Sequence, residues 1–260
     1  MDDMAIGFVL YNPSVKVLDR IRICILNGYK VYVFDNTPAT TFFRDELKQD
    51  ESVNYYTLDV NVGLGVSISM ITVNAFYDKF TYLLFFDQDT VFNLDTLLFI
   101  TSFYKKNLEN LESCVAVSFQ ENKFYTIVEP VELVINSGSL FVLDELKSIG
   151  WHDMSYFVDG VDYKFCLDAS IKGRNIYKVG NVPGFDHSSE QDDVDYIVAG
   201  HKFRIRRYPI FRVKDYIKSL IRLCIVSIAN FKLSFFLKFF KQLCVYVIIQ
   251  LVSRILKLER

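Results

Sequence analysis

The sequence predicts an α/β protein: a mostly parallel open sheet flanked by helices, with a helical appendage at its C-terminal end. Three observations predict it. Short apolar runs alternate with longer stretches of helical periodicity, as in strands buried on both faces. Polar residues close each apolar run, at the strand ends where open α/β sheets bind ligands. Charge also divides along the chain. There are 15 basic and 29 acidic side chains up to Gly200, but 14 and 2 after it, so a net charge of −2 conceals parts of −14 and +12. The expected domains are therefore residues 1–200 and 201–260.

Residues 5–11 read as a buried strand stopped by Asn12-Pro13, and residues 15–26 as a helix closed by Asn27-Gly28. Residues 30–34 and 53–58 read as the next strands, 67–77 as a helix, and 82–86 as a strand without a polar residue. The carboxyl ends of these strands carry Asn12, Asp35-Asn36, Asn61-Val62-Gly63 and Asp87-Gln88-Asp89. Each alone is ordinary turn chemistry, but four on one sheet edge point to a site. A hydrophobic content of 51% with only 5 Pro and 11 Gly excludes a disordered or collagenous chain.

The five cysteines (24, 114, 166, 224 and 244) are odd in number and lack metal-ligand spacing, so reduced, buried thiols in a cytoplasmic protein are expected. The acidic start is unlike a secretory signal. The longest uncharged apolar run, residues 242–253, is shorter than the roughly 18 residues a span requires, so no membrane crossing is expected.

Asp87 and Asp89 end a very apolar strand two residues apart, so both carboxylates can face one ligand. Hard oxygen donors in that arrangement suit Mn²⁺ or Mg²⁺ bridging a diphosphate. The alternative is an acidic turn with Asp89 or Thr90 capping the next helix.

With these residues the sequence resembles the inverting family 2 glycosyltransferases of the GT-A fold, and most of all their bacterial rhamnosyltransferase-like branch. The matching pieces run in the family's order: Val9 to Pro13, Val33 to Asn36, Asn61 to Gly65, Phe86 to Thr90, Asn136 to Ser139, and Gly150 to Gly173. The resemblance implies a nucleotide-sugar site formed by Asn12, Asp35, Asn36, Asn61, Gly63, Gly65, Asp87, Gln88, Ser137 and Gly138. In it, Asp35 lies beside the base, and Gly63 and Gly65 allow close approach of the ligand or simply shape a strand-to-helix turn. Asp89, Asp87 and His187 are the implied metal ligands.

An inverting transfer needs a base for the acceptor hydroxyl. Aligned on the helix that ends at Gly173, Asp162 falls on the family's catalytic aspartate; Asp159 is the rival base or an acceptor-orienting residue, and either could instead cap the helix. Val161 and Asp168 depart from the Glu and Arg frequent in relatives. Trp151 and Tyr156 are candidates for an acceptor platform or for plain packing.

After Gly200 the chain is basic, aromatic and helical in pattern over residues 215–230 and 233–257. Such helices suit the plane of an anionic membrane surface, with packing on the catalytic domain or another subunit as the alternative; their apolar density argues against nucleic acid. The expected protein is a cytoplasmic enzyme, peripheral on the inner face of a bacterial membrane. It would move sugar from dTDP-rhamnose or a UDP-hexose to a lipid-linked glycan of O-antigen or capsule. A homo-oligomer is compatible with this. A catalytically silent GT-A scaffold and a sugar nucleotidyltransferase are the rival classes; the second normally has a Gly/Lys-rich phosphate loop, which Tyr11-Asn12-Pro13 is not.

Overall fold

Strand β1 (Met4–Leu10) has six of its seven residues buried, and β2 (Val31–Asp35) all five, because nothing in either needs water until the closing aspartate. In this computed structural model, which describes residues 3–39, 43–120, 128–187, 194–198, 201–205 and 208–255, the chain separates into two units. They are Met1–Phe157 with Val161–Ser188, and Val158–Gly160 with Ser189–Arg260.

In the first unit, helix α1 (Val15–Leu26) joins β1 to β2, and α2 (Arg44–Gln49) precedes β3 (Val53–Thr57). Helix α3 (Leu64–Tyr77) leads into β4 (Tyr82–Asp87), then β5 (Thr90–Val91) and α4 (Leu94–Asn107). Asn93 and Thr96 form a reciprocal capping box at the start of α4. There follow β6 (Cys114–Phe119), β7 (Val128–Val131), β8 (Ser139–Val142), α5 (Leu143–Ile149), α6 (Val161–Ile171), β9 (Asn175–Val179) and β10 (Asp186–His187). The sheet order is β3-β2-β1-β4-β8-β6-β9-β7, and β10 pairs separately with β5. The first four strands are parallel; β8 enters antiparallel between β4 and β6. A core that includes Phe8, Val33, Leu84, Phe86, Val117 and Leu140 fills one side of the sheet.

The second unit contains an antiparallel hairpin, β11 (Val194–Val198) and β12 (His201–Ile205), where sequence patterning called no strand. Helices α7 (Ile210–Ala229) and α8 (Leu233–Ile255) follow. They pack through Leu220, Leu223, Phe235 and Phe239, all buried. Tyr216 meets Tyr246 with ring centroids 4.3 Å apart. Two expectations are corrected here. Helix α8 continues through Lys238 and Lys241, so Leu233–Arg254, at mean hydropathy 1.7, is long and apolar enough to cross a membrane by length and composition. An uncharged-run criterion missed this because a helix does not stop at a lysine. Four cysteines are buried, but Cys244 is exposed.

Candidate active site

The site grows from the carboxyl ends of β1, β2 and β4. The Tyr11 amide donates to the Gln88 side-chain oxygen at 2.7 Å, and the Asn12 amide to Thr37 Oγ1 at 2.8 Å. Asn36 ties the β2 end to the next loop: its side chain donates to Ser67 Oγ at 2.8 Å and accepts from the Val62 amide at 3.1 Å. Asn61 accepts from the Gly63 amide at 2.9 Å, which sets the turn into α3. Asn12, Asn36 and Asn61 thus occupy one connected edge.

Asp35 and the glycines of that edge have partners within the protein that the sequence did not reveal. Asp35 is fully buried. Its carboxylate accepts from the Thr37 amide at 2.8 Å and from the Tyr55 hydroxyl at 2.5 Å, with Arg44 at 3.8 Å, so it organises the turn that ends β2. A Cβ at Gly63 or Gly65 would overlap the Phe157 or Tyr156 carbonyl oxygen, so the close approach these glycines permit is to the protein's own 156–157 backbone. Gly138, with φ +73°, packs under the Phe185 ring, which a Cβ would strike, so packing rather than a sugar requires glycine there.

At the end of β4 the surroundings are acidic. The Asp87 amide donates to Ser137 Oγ at 2.8 Å, and Ser137 also meets Thr90 Oγ1 at 2.5 Å. The Gly138 amide donates to the Phe85 carbonyl at 2.8 Å, so the 136–138 loop is fastened to the strand that ends in Asp87. Asp162, in the first turn of α6, accepts from the Asn136 amide at 3.0 Å. The Asp87 carboxyl is held well above the usual carboxylate range, first by burial and then by the charges of Asp162 and Asp89. Three carboxylates from β4, its following turn and α6 therefore interact electrostatically.

The remaining predicted residues have the following surroundings. Asp159 belongs to the second unit, where Arg212 pairs with it at 2.9 Å. Tyr156 is 1% exposed and offers no ring face to an acceptor. Trp151 is partly exposed, edge-on to Phe76 at 5.5 Å. The His187 side chain lies outside what the structure describes, although its backbone pairs with Thr90, one residue beyond Asp89.

Two arginines went unnoticed in the sequence. Arg20, on the buried face of α1, donates to the Gln88 carbonyl between the two strand-end aspartates. Arg44 bonds Asp59 at 2.6 Å and the Ala39 carbonyl at 3.2 Å. An arginine at an apolar position of a helix was the available signal for Arg20.

Asp87 and Asp89 suit a divalent cation by donor type, since hard oxygens under mutual repulsion are what such a cation relieves. Among the described residues, however, no three His, Cys, Asp or Glu side chains are placed as a ready cation site. The fit is thus one of chemistry and charge.

The architecture is the GT-A fold of nucleotide-sugar transferases, with helices added at the C-terminal end. The chain is similar to S. aureus TarS at 12% identity and TM-score 0.58, covering 86% of this chain and 39% of that one. It is similar to S. aureus TarS 1-349 at 12% identity and TM-score 0.53, covering 70% and 58%. GalNAc-T7, solved with UDP, GalNAc and Mn2+, matches at 10% identity and TM-score 0.51, covering 73% and 44%. At these identities the likeness is one of fold, and the chain spans less than two thirds of each of these proteins. No family model and no curated protein matches the sequence.

Proposed function

We propose that this chain is a metal-dependent inverting glycosyltransferase that takes its sugar from dTDP-rhamnose or a UDP-hexose. The acceptor is a lipid-linked glycan of bacterial O-antigen or capsule, met at the cytoplasmic face of the membrane. The observation that carries the reading is that one loop, residues 136–138, ties Asp162 to the end of the central strand that carries Asp87, two residues before Asp89, in a GT-A fold. The UDP and Mn2+ in the GalNAc-T7 structure support a nucleotide-sugar donor and a metal. The rhamnosyltransferase-like motifs support the narrower choice of donor.

Asp162 takes the proton of the acceptor hydroxyl while that oxygen attacks the anomeric carbon. The bond from that carbon to the diphosphate oxygen breaks on the opposite side, inverting the configuration. The Asn136 amide fixes the orientation of the Asp162 carboxylate, and Ser137 fixes the strand end that carries Asp87. Asp89 and Asp87 would hold a divalent cation, which supplies charge neutralisation for the leaving diphosphate. Asn36 and Asn61 shape the loop beside the nucleotide.

A thermal-shift panel of UDP-, dTDP- and GDP-sugars, with and without Mn²⁺, tests the reading. One nucleotide should raise the melting temperature, more so with the metal; stabilisation by none of them would overturn it. A catalytically silent GT-A scaffold is the rival reading. It predicts no metal-dependent donor hydrolysis.

A further inference from the structure

The α7–α8 turn holds an apolar residue in a backbone conformation that glycine normally takes. Phe231 follows α7 with φ 57°, the left-handed position that ends many helices. Its amide donates to the Ile228 carbonyl at 3.0 Å and that of Lys232 to Ser227 at 2.8 Å. A non-glycine residue there is disfavoured, yet the Phe231 ring is 94% exposed and recovers nothing by packing. Ile225 and Ile228 at the end of α7, and Leu233 and Leu237 at the start of α8, are also each more than half exposed. The hairpin end is therefore an apolar cap.

Behind the cap lies a basic tier. Arg222 is seven residues before the end of α7, and Lys238 and Lys241 are five and eight residues into α8. At about 1.5 Å per residue, all three stand roughly 8–12 Å from the turn, with Lys218 one turn further back. An interfacial apolar segment sits about 5–10 Å into a bilayer, which places this tier at the level of the lipid phosphates. Lys232, in the turn itself, is partly buried and has the alkyl reach to carry its ammonium back towards the headgroups. Asp215 is the one acid in α7 and α8, and its carboxylate accepts the Val158 and Asp159 amides.

We infer that the α7–α8 turn is a membrane-inserting tip, which enters an anionic bilayer turn-first to the depth of the basic tier. This rests on the proposed glycosyltransferase meeting its acceptor at a membrane, and it differs from helices lying flat in sending Phe231, 94% exposed at the turn, deepest.

The full-length chain tests it. Cys244 is the exposed thiol and the other four cysteines are buried, so a polarity-sensitive dye can be placed by F231C, or by V245C beyond the tier, in a C244S background. With vesicles of phosphatidylcholine and phosphatidylglycerol, the dye at 231 should shift to the blue and brighten at least twofold. The dye at 245 should respond less. F231D should weaken vesicle binding roughly tenfold, with an unchanged circular dichroism spectrum. A water-like dye at 231 on vesicle-bound protein overturns the inference, as does absence of binding, or an F231D variant that instead changes oligomeric state without lipid. Nucleotide-induced stabilisation in lipid-free buffer reads the glycosyltransferase proposal separately.

Discussion

Asp35 and Asp87 close the two strands that flank β1 and pair with its neighbouring residues Leu10 and Val9, yet their surroundings are opposite. Asp35 is buried with a backbone amide, a tyrosine hydroxyl and an arginine turned towards it. Asp87 is partly buried beside two further carboxylates, and its strand end is held by the pairing with Val9 and by its own amide on Ser137. The first arrangement is complete as a piece of structure. The second gathers acids at the sheet edge, where a cation and a diphosphate would be received. Strand position therefore does not decide which acid is chemical; the charge of its neighbours does.

The largest expected effect lies on the acidic side. D162N removes the base while keeping the shape and the Asn136 contact, so transfer should fall by about 10²–10⁴-fold. Nucleotide-induced stabilisation should stay within experimental error. A variant of undiminished activity would detach Asp162 from the chemistry. On the compensated side, D35N leaves Arg44 without its buried counter-charge and weakens the bond from Tyr55. Unfolding should become easier by about 3 kcal/mol, measured by urea titration. An effect below about 1 kcal/mol would show that Asp35 is not the structural acid the contrast requires.

The parallel half of the fold was legible because β1, β2 and β4 are uninterrupted apolar runs with polar ends, and the Asp87–Asp89 spacing announced a paired site. What escaped was contact at a distance in sequence. Nothing in the glycines of Asn61 to Gly65 reveals that the Phe157 carbonyl will lie against them, donated to by the Leu64 amide at 2.5 Å. Asp159 and Asp162, three residues apart, fall into different units because the chain between them starts a helix. Strand β8 was missed because four residues are too few for alternation to register, although its antiparallel entry delivers Ser137 to Asp87. Hydrophobic periodicity reports which face is buried, not what it meets.

The next effect is read by pH. His152 is buried between Phe141 and Phe165, with Nε2 3.4 Å from the Asn136 side-chain oxygen and no partner for Nδ1. Burial lowers its pKa from 6.5 to about 3. The folded protein therefore keeps the ring neutral while the unfolded chain takes a proton. Its contribution is fully present above pH 6.5 and is lost as pH falls from 6.5 towards about 3. At pH 5 the cost is about 2 kcal/mol relative to pH 7, and H152L should flatten the stability profile by that amount. Because Asn136 also orients Asp162, a wild-type profile as flat as that of H152L would weaken the claim that the acidic side rests on a neutral buried frame.

The smallest effect has the opposite sign and tests the contrast most directly. D87N removes a partly buried carboxylate from the repulsion of Asp89 and Asp162 without altering the peptide amide held by Ser137. Without metal it should stabilise the fold by about 1 kcal/mol, whereas D35N destabilises it. The Mn²⁺-dependent part of nucleotide stabilisation should disappear in the same variant. If D87N instead destabilises the metal-free protein, as D35N should, the two strand ends are equivalent in kind and the acidic cluster is part of the scaffold. A gain in stability joined to loss of the metal response would mean that the fold keeps Asp87 at a cost in stability, as expected of a group retained for its chemistry.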